Sequence, residues 1–495
     1  MSQAIKQTVS WDGRGNWALS GGADGGLSEA GLRRMREVLA RYVESGAVPG
    51  LVALVGRGDQ VHVEALGTLH AAHRSARRST RRSDARSDGP SDVGSDVGSD
   101  VGSDVGSGGG SGGGLHGGSG GGSLDGGGSL GGGGSGGEAG GLVGGVPMRR
   151  DTLFRMASLT KPVTAAAVMI LVEECRLRLD DPVETWLPEL ANRRVLARID
   201  APLDDTVPAR RSITARDLLT LTFGFGLVPA PPDTYPIQVA VRERGVIGDG
   251  TANWPTVGQD EWIKQLGALP LMYQPGERWQ YHVGSDVLGV LVSRVAGRSF
   301  GEFLRERLFE PLGMMDTGFH VPADRIHRLP TSFAHDPETG ELTTWDEAVG
   351  GKYSRPPVFE AGGDGLVSTV DDYHAFHRML LNKGSHGGER ILSRASVELM
   401  TMDHLTPEQK VEKDQFGDLF GRHGGYGFGM AVRTHRRDLA SVGQFGWDGG
   451  LGTTAYSDPA ERLTGILLTQ TAMDSADTPR LHQDLWTTVY RTLDD

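Results

Sequence analysis

Apolar positions recur at helical spacing from Leu27 to Glu44, where Leu32, Met35, Leu39 and Tyr42 fall on one stripe. Two short apolar runs follow, Gly50 to Val55 and Val61 to Leu66. Between them lies Gly56-Arg57-Gly58-Asp59-Gln60, the pattern of a β-hairpin with glycine in its turn. There the pattern stops. It returns at Val146, and Asp151 to Arg178 predicts an entry strand and turn followed by a long helix, since Val163 to Val172 is almost wholly apolar. From Leu179 to Val349 the spacing is mostly helical with many loops, as in Thr214 to Leu221, Asp286 to Ala296 and Phe300 to Phe309. Beyond Gly362 comes a helix over Asp371 to Leu381, then four strand-like runs: Gly427 to Val432, Ala440 to Phe445, Thr453 to Ser457 and Leu463 to Gln470. A last helix is expected from Thr478 to Leu493. Strands near both ends with helices between them predict one α/β (α+β) domain closed by the two ends of the chain, with a mostly helical domain inserted.

The interruption spans residues 70–141. It opens with an Arg/Ser run (Arg74 to Arg86), continues as tandem Ser-Asp-Val-Gly units from Ser91 to Gly106 and ends in Gly/Ser. It holds most of the excess among the chain's 76 glycines. Such a segment buries too little apolar surface to offset its ordering entropy, so composition predicts a disordered, solvated insert. The expected partition is therefore 1–26 as an N-terminal extension, 27–69 as the first part of the α/β domain and 70–141 as the insert. Residues 142–178 carry the long helix of the α/β domain, 179–350 the helical domain and 351–495 the rest of the α/β domain.

Charge and cysteine content narrow the function classes. The formal charge is −13 and basic residues are dispersed outside the Arg/Ser run, which argues against a nucleic-acid partner. No apolar run approaches the ~18 residues of a membrane helix, and Met1 to Ser20 lacks the apolar core of a signal peptide. Cys175 is the only cysteine, so no intramolecular disulfide is possible; a cytoplasmic location follows as the expectation. Cys175 itself is expected to be a buried or half-buried residue near a helix end.

Several motif matches carry little. Gly127-Gly128-Ser129-Leu130-Gly131 and Gly117 to Gly121 fit G-x-S-x-G, but neither sits between a strand and a helix, where that serine has to be. His374 and His377 are three apart on an expected helix without a third ligand cluster, and are expected to be surface histidines; no metal and no cofactor are foreseen. Ser158-Leu159-Thr160-Lys161 is different. It opens the long helix, and i, i+3 spacing puts hydroxyl and amine on one face. A serine hydroxyl is a poor nucleophile until a neighbouring group takes its proton, and a suitably buried amine does that.

The surrounding text extends this pair to a family. Asp151-Thr-Leu-Phe-Arg-Met-Ala-Ser-Leu-Thr-Lys-Pro-Val-Thr-Ala resembles the nucleophile segment of the β-lactamase-related serine hydrolases, which include class C β-lactamases, D-amino-acid-specific peptidases, acyltransferases and family VIII esterases. Similar, in order, are Ile213-Thr-Ala-Arg-Asp-Leu-Leu-Thr-Leu-Thr, Gln274-Pro-Gly-Glu-Arg-Trp-Gln-Tyr281, Pro311-Leu-Gly-Met-Met-Asp-Thr-Gly-Phe and Gly365-Leu-Val-Ser-Thr-Val-Asp-Asp-Tyr. Gly446-Trp-Asp-Gly-Gly-Leu-Gly stands in the place of the family's third box.

The resemblance implies an antiparallel sheet flanked by helices, in the β-lactamase/transpeptidase manner. It makes Ser158 the nucleophile, Lys161 its proton partner and Tyr281 the second acid/base. The backbone N–H groups of Ser158 and Gly450 become the oxyanion hole, and Trp447, Asp448 and Gly449 become substrate-binding. Where the family often has an amide two residues after this tyrosine, the chain has Val283. Trp447 replaces the cation with which penicillin-recognising relatives begin the third box, unless an arginine such as Arg433 restores it. The resemblance thus points to a carboxylesterase acting on short-chain esters through an acyl-enzyme. The alternatives are a D-amino-acid peptidase, a β-lactamase-type amidase or an acyltransferase on the same site, or a catalytically silent binding protein. The partner would be a small-molecule ester or amide, with no nucleic acid and no membrane.

Overall fold

In the computed structural model the two apolar runs near the start form one hairpin, strand β1 (Gly50–Arg57) with β2 (Gln60–Gly67). Their register runs from Gly50↔Gly67 to Arg57↔Gln60 and leaves Gly58-Asp59 as a two-residue turn. Gly58 adopts φ +56°, which such tight turns demand. The structure describes residues 26–70, 145–247, 255–410, 419–475 and 478–494, with the backbone of two short paired strands, Val9–Trp11 and Trp17–Leu19. The expected insert lies outside the described residues from 71 to 141.

Five strands from the other end of the chain join the hairpin: β3 (Gly424–Tyr426), β4 (Ala431–Arg433), β5 (Phe445–Gly449), β6 (Thr453–Asp458) and β7 (Leu463–Thr469). The order across the sheet is β3-β4-β5-β6-β7-β1-β2, and every neighbouring pair is antiparallel. The seam between the chain's two ends is β7 with β1, paired from Leu463↔Arg57 to Thr469↔Leu51.

Side chains alternate across this sheet, so each face packs its own layer. Leu51, Ala53, Val55, Leu463 and Leu467 meet Met35, Leu39, Leu481, Leu485 and Val489 from helices α1 (Glu29–Glu44) and α5 (Arg480–Tyr490). Val52, Leu54, Ile466 and Leu468 face the opposite way, into the main core. That core is shared with the helical region, because the same cluster contains Phe223, Trp262, Trp279 and Phe300.

At its centre is α2 (Thr160–Glu173), buried on every side from Thr160 to Leu171, as an all-round apolar helix has to be. Helix α3 (Val283–Ala296) packs against it, and α4 (Val370–Leu381) lies on the sheet. Among the described residues no helix is long and apolar enough to cross a membrane.

Three local expectations are corrected. Cys175 is exposed: it stands just past α2 with φ +58°, its N–H bonded to Val172 O and that of Arg176 to Leu171 O. Those paired bonds are the left-handed helix ending that usually takes glycine, and they carry the residue off the core. His374 and His377 are buried, not on the surface, since their three-residue spacing puts both on the sheet-facing side of α4. His377 Nδ1 lies 2.8 Å from Ser457 Oγ, and burial pushes both imidazoles down to about 3. Finally, Ala440–Gln444 is no strand. Asp458 takes the Ser441 N–H and the chain turns there before β5 begins at Phe445.

The chain closes on itself twice. Leu27 pairs with Leu493, and the Ser28 N–H donates to Thr492 O at 2.7 Å. Thr68 pairs with Pro147, flanked by Leu69 N–H to Val146 O at 2.8 Å and Met148 N–H to Gly67 O at 2.9 Å.

Candidate active site

Ser158 sits in a short 3₁₀ turn, Ala157–Leu159, that runs directly into α2. Ala157 before it is left-handed, φ +47°, a conformation that costs a non-glycine residue about 1 kcal/mol or more. The surroundings hold it there. Thr453 Oγ1 of β6 donates to Met156 O at 3.0 Å, and Tyr373 Oη of α4 donates to Leu159 O at 2.7 Å. Thr160 Oγ1 donates to Ala157 O at 2.8 Å and accepts the Leu366 N–H at 3.1 Å. The nucleophile turn is thus tied to the sheet, to α4 and to the segment before it.

One turn into α2, Lys161 is 1% exposed, and its Nζ has three close partners. It lies 3.0 Å from Ser158 Oγ, 2.8 Å from Gly363 O and 3.2 Å from His282 Nδ1. It also stands 4.4 Å from the centroid of the Tyr281 ring. Tyr281, just before α3, is buried in an aromatic wall with Trp279 at 5.6 Å and Trp447 at 5.7 Å between ring centroids. Trp447 Nε1 donates to Tyr281 Oη at 2.9 Å. Ser158, Lys161, Tyr281 and Trp447, spread over some 290 positions of sequence, therefore converge on one site.

The rest of the third box divides. Asp448 alternates to the opposite face of β5, where its carboxylate accepts from Tyr456 Oη at 3.0 Å and lies 3.7 Å from His482 Nδ1 of α5. Its side chain, expected to bind substrate, is turned away from Trp447 and Tyr281. Gly449 packs against the nucleophile turn so closely that a Cβ would come within 2.2 Å of Thr453 Oγ1 and 2.5 Å of Met156 O. Only glycine lets β5 approach Ser158 in this way. Gly450 follows, exposed at the end of β5, with its carbonyl accepting the Met473 N–H. Arg433 brings no cation: its guanidinium is engaged by Gln444, the Arg422 carbonyl and Asp438.

Sequence reasoning missed a second group of ionisable residues behind Lys161. His282 Nε2 lies 3.3 Å from Asp286 Oδ2 and 3.9 Å from Asp364 Oδ2, and Asp286 Oδ1 accepts the Gly363 N–H at 2.8 Å. Burial, then the charge of Lys161, holds His282 well below the usual histidine range. Burial, then the neighbouring Asp364, raises Asp286 against the pull of Lys161 and the Gly363 N–H, and burial also raises Asp364. The signal was present in the text, since Asp286 is the only acid in the apolar stretch Val283–Val295. His282, Asp286 and Asp364 offer ligand atoms within 4.8 Å of one another, and Lys161 Nζ stands 3.2 Å from the other imidazole nitrogen, His282 Nδ1.

A serine at a strained turn before a buried helix, with a lysine one turn on and a tyrosine just before α3, is the arrangement of a serine hydrolase of the Ser-x-x-Lys type. The comparisons agree. The family model described as Beta-lactamase matches residues 35–485, and the chain belongs to that family. It is 42% identical over 337 residues to Protein Rv1367c of Mycobacterium tuberculosis, covering 67% of this chain and 80% of that protein. It is 32% identical over 363 residues to Esterase EstB of Burkholderia gladioli, covering 68% and 81%. Among solved structures, EstCE1, a hydrolase with promiscuous acyltransferase activity, is similar with a TM-score of 0.65 at 21% identity, over 93% of this chain and 99% of that one.

Proposed function

We propose that this protein is a carboxylesterase that cleaves small neutral esters, with short acyl chains, through an acyl-enzyme on Ser158. The observation that carries the reading is the 3.0 Å approach of Lys161 Nζ to Ser158 Oγ in a buried site whose third box begins with Trp447. In this reading Ser158 Oγ attacks the ester carbonyl as its proton passes to Lys161. The negative oxygen that forms is held by the Ser158 and Gly450 N–H groups, donors worth about 3–4 kcal/mol each when well placed. Tyr281 gives its proton to the departing alkoxide and is reprotonated from Lys161, and the alcohol leaves. Water then attacks the acyl-enzyme, its proton is taken by the same pair and passed to the departing Ser158 Oγ, and the acid is released. The ester preference rests on the indole, which packs against neutral groups and supplies no charge for a carboxylate. The likeness to Esterase EstB supports the same choice. The single cysteine fits a cytoplasmic setting.

A fluorophosphonate probe tests the reading directly. Wild type should be labelled at Ser158, and Ser158→Ala should lose labelling together with at least about three orders of magnitude in kcat on a p-nitrophenyl ester. A folded wild type that neither labels nor hydrolyses any ester or amide offered would instead be the silent binding protein.

A further inference from the structure

We propose that His282 is the positioning residue of the Ser158/Lys161 pair: Asp286 holds it as the Nε2–H tautomer, and its bare Nδ1 takes one N–H of Lys161, aiming the amine at Ser158. This inference rests on the hydrolase reading above and adds to it a residue that the family resemblance does not supply.

His282 has φ +86° and ψ −69°, and the Val283 N–H reaches back to Tyr281 O across it. That is a γ-turn of the rare, strained kind, which persists only where its surroundings impose it. Its effect is to turn the imidazole away from the aromatic wall and into the space behind Lys161. Gly363 makes room for it, since a Cβ there would come within 3.0 Å of His282 Cε1 and 2.9 Å of Asp286 Oδ1.

Around Lys161 Nζ the chemistry of the partners fixes the rest. The Gly363 carbonyl can only accept. His282 Nε2 faces the Asp286 carboxylate at 3.3 Å, which favours the proton on Nε2 and leaves Nδ1 as an acceptor only. When the amine is neutral, its two N–H bonds are therefore assigned to Gly363 O and His282 Nδ1. The remaining tetrahedral position, the lone pair, faces Ser158 Oγ at 3.0 Å. If Asp286 gains a proton, or is replaced by an amide that donates, Nε2 becomes the acceptor and Nδ1 carries the hydrogen. That hydrogen then confronts the Lys161 N–H, and the aim is lost. The charged and titratable groups facing this imidazole are Lys161 from α2, Tyr281 on its N-terminal side, Asp286 from α3, and Asp364, itself influenced by Lys352. The raised Asp286 puts the flip within reach of mildly acidic pH.

Two measurements on the full chain decide the matter. The first is nitrogen NMR of protein carrying ring-labelled histidine, which reads the His282 tautomer without any turnover. The second is kcat, KM and the pH profile on p-nitrophenyl butyrate for wild type, Asp286→Asn and His282→Asn. The last variant is chosen because asparagine tolerates positive φ and keeps an acceptor oxygen. The expected result is an Nε2–H tautomer in wild type at pH 8 and Nδ1–H in Asp286→Asn. Asp286→Asn should lose about ten- to hundred-fold in kcat, the scale of a charge-assisted hydrogen bond, with KM within twofold and its acid limb gone. His282→Asn should retain more activity than Asp286→Asn. An Nδ1–H or doubly protonated His282 in wild type at pH 8 overturns the proposal, as does an Asp286→Asn enzyme with wild-type kcat and pH profile. If wild type fails to label with fluorophosphonate, the hydrolase reading falls and this inference with it. A labelled wild type with the wrong tautomer sinks this inference alone.

Discussion

The indole N–H of Trp447 donates to Tyr281 Oη across 2.9 Å, with the two rings tilted by 36° and their centroids 5.7 Å apart. The third box thus fixes the position of the phenol oxygen and the side on which its own proton lies. Trp447→Phe keeps the ring and removes the donor. A net loss of about 1 kcal/mol, several-fold in kcat on p-nitrophenyl butyrate, is expected. Tyr281→Phe should cost far more, on the order of 10²–10⁴, as removal of a positioned acid/base does. If Trp447→Phe is as damaging as Tyr281→Phe, the indole acts in the chemistry and not only on the phenol.

The same bond occupies the one polar atom that Trp447 could offer a substrate carboxylate, and Arg433 is held by Gln444, Arg422 and Asp438. Weak β-lactamase activity beside good activity on short esters is expected. Lacking a charge-assisted partner of about 1.5–3 kcal/mol, a cephalosporin should trail the ester by roughly one to two decades in kcat/KM. Comparing p-nitrophenyl butyrate with a nitrocefin-type substrate on one preparation checks this, and parity would overturn the ester preference.

His374 and His377 give stability a pH dependence of known sign. Their folded values are about 3, below the ordinary 6.5, so the unfolded chain binds more protons between those limits. Stability is therefore full above pH 6.5 and falls as pH drops toward 3, by about 1.4 kcal/mol per unit for each buried neutral histidine. Urea denaturation at pH 7 and pH 5 should show a loss on the order of 2 kcal/mol per histidine at the lower pH. His377→Gln should lower stability at pH 7 through its lost Ser457 contact yet lose less between the two conditions. An unchanged pH slope in that variant would refute the assignment.

Removing residues 74–140 and joining the ends with a short linker should leave ester hydrolysis and melting temperature nearly unchanged. Composition supplies no core there, and Thr68 pairs with Pro147, so the flanks already lie side by side. Loop-closure cost changes by only ~0.6 kcal/mol per doubling of length. Collapse of activity or solubility after a clean deletion would show that the segment folds or binds.

What the sequence made legible follows from where its signals are local. Periodicity located α2 and the β1–β2 hairpin, because helix and strand spacing survive in a single segment. The antiparallel sheet and the family came from ordered boxes, and the fold agrees with them. Strand β5 was misplaced because Gly446, Asp448 and Gly449 are poor strand formers; its register is imposed by pairing with β6 from Phe445↔Ser457 to Gly449↔Thr453. Box order does not reveal which face of the strand a side chain takes, so the facing of Asp448 toward Tyr456 is visible only in the structure. His282, Asp286 and Asp364 were invisible as a group, since their meeting depends on a γ-turn and on two segments 78 residues apart in sequence, Asp286 and Asp364.

The pairing of Leu27 with Leu493, and of Thr68 with Pro147, makes the described fold a ring as far as connectivity is concerned. Asp494 N–H bonds to Gly26 O at 3.1 Å, so a few added residues could join those positions without disturbing α1 or α5. A circular permutant could then begin at Gly145 and end at His70, placing the Ser158 turn near the new amino terminus. All seven strands would keep their partners while the β7–β1 seam, now between distant chain ends, became a connection between neighbours in sequence. The order in which the sheet can assemble during synthesis would change, and the finished site would not.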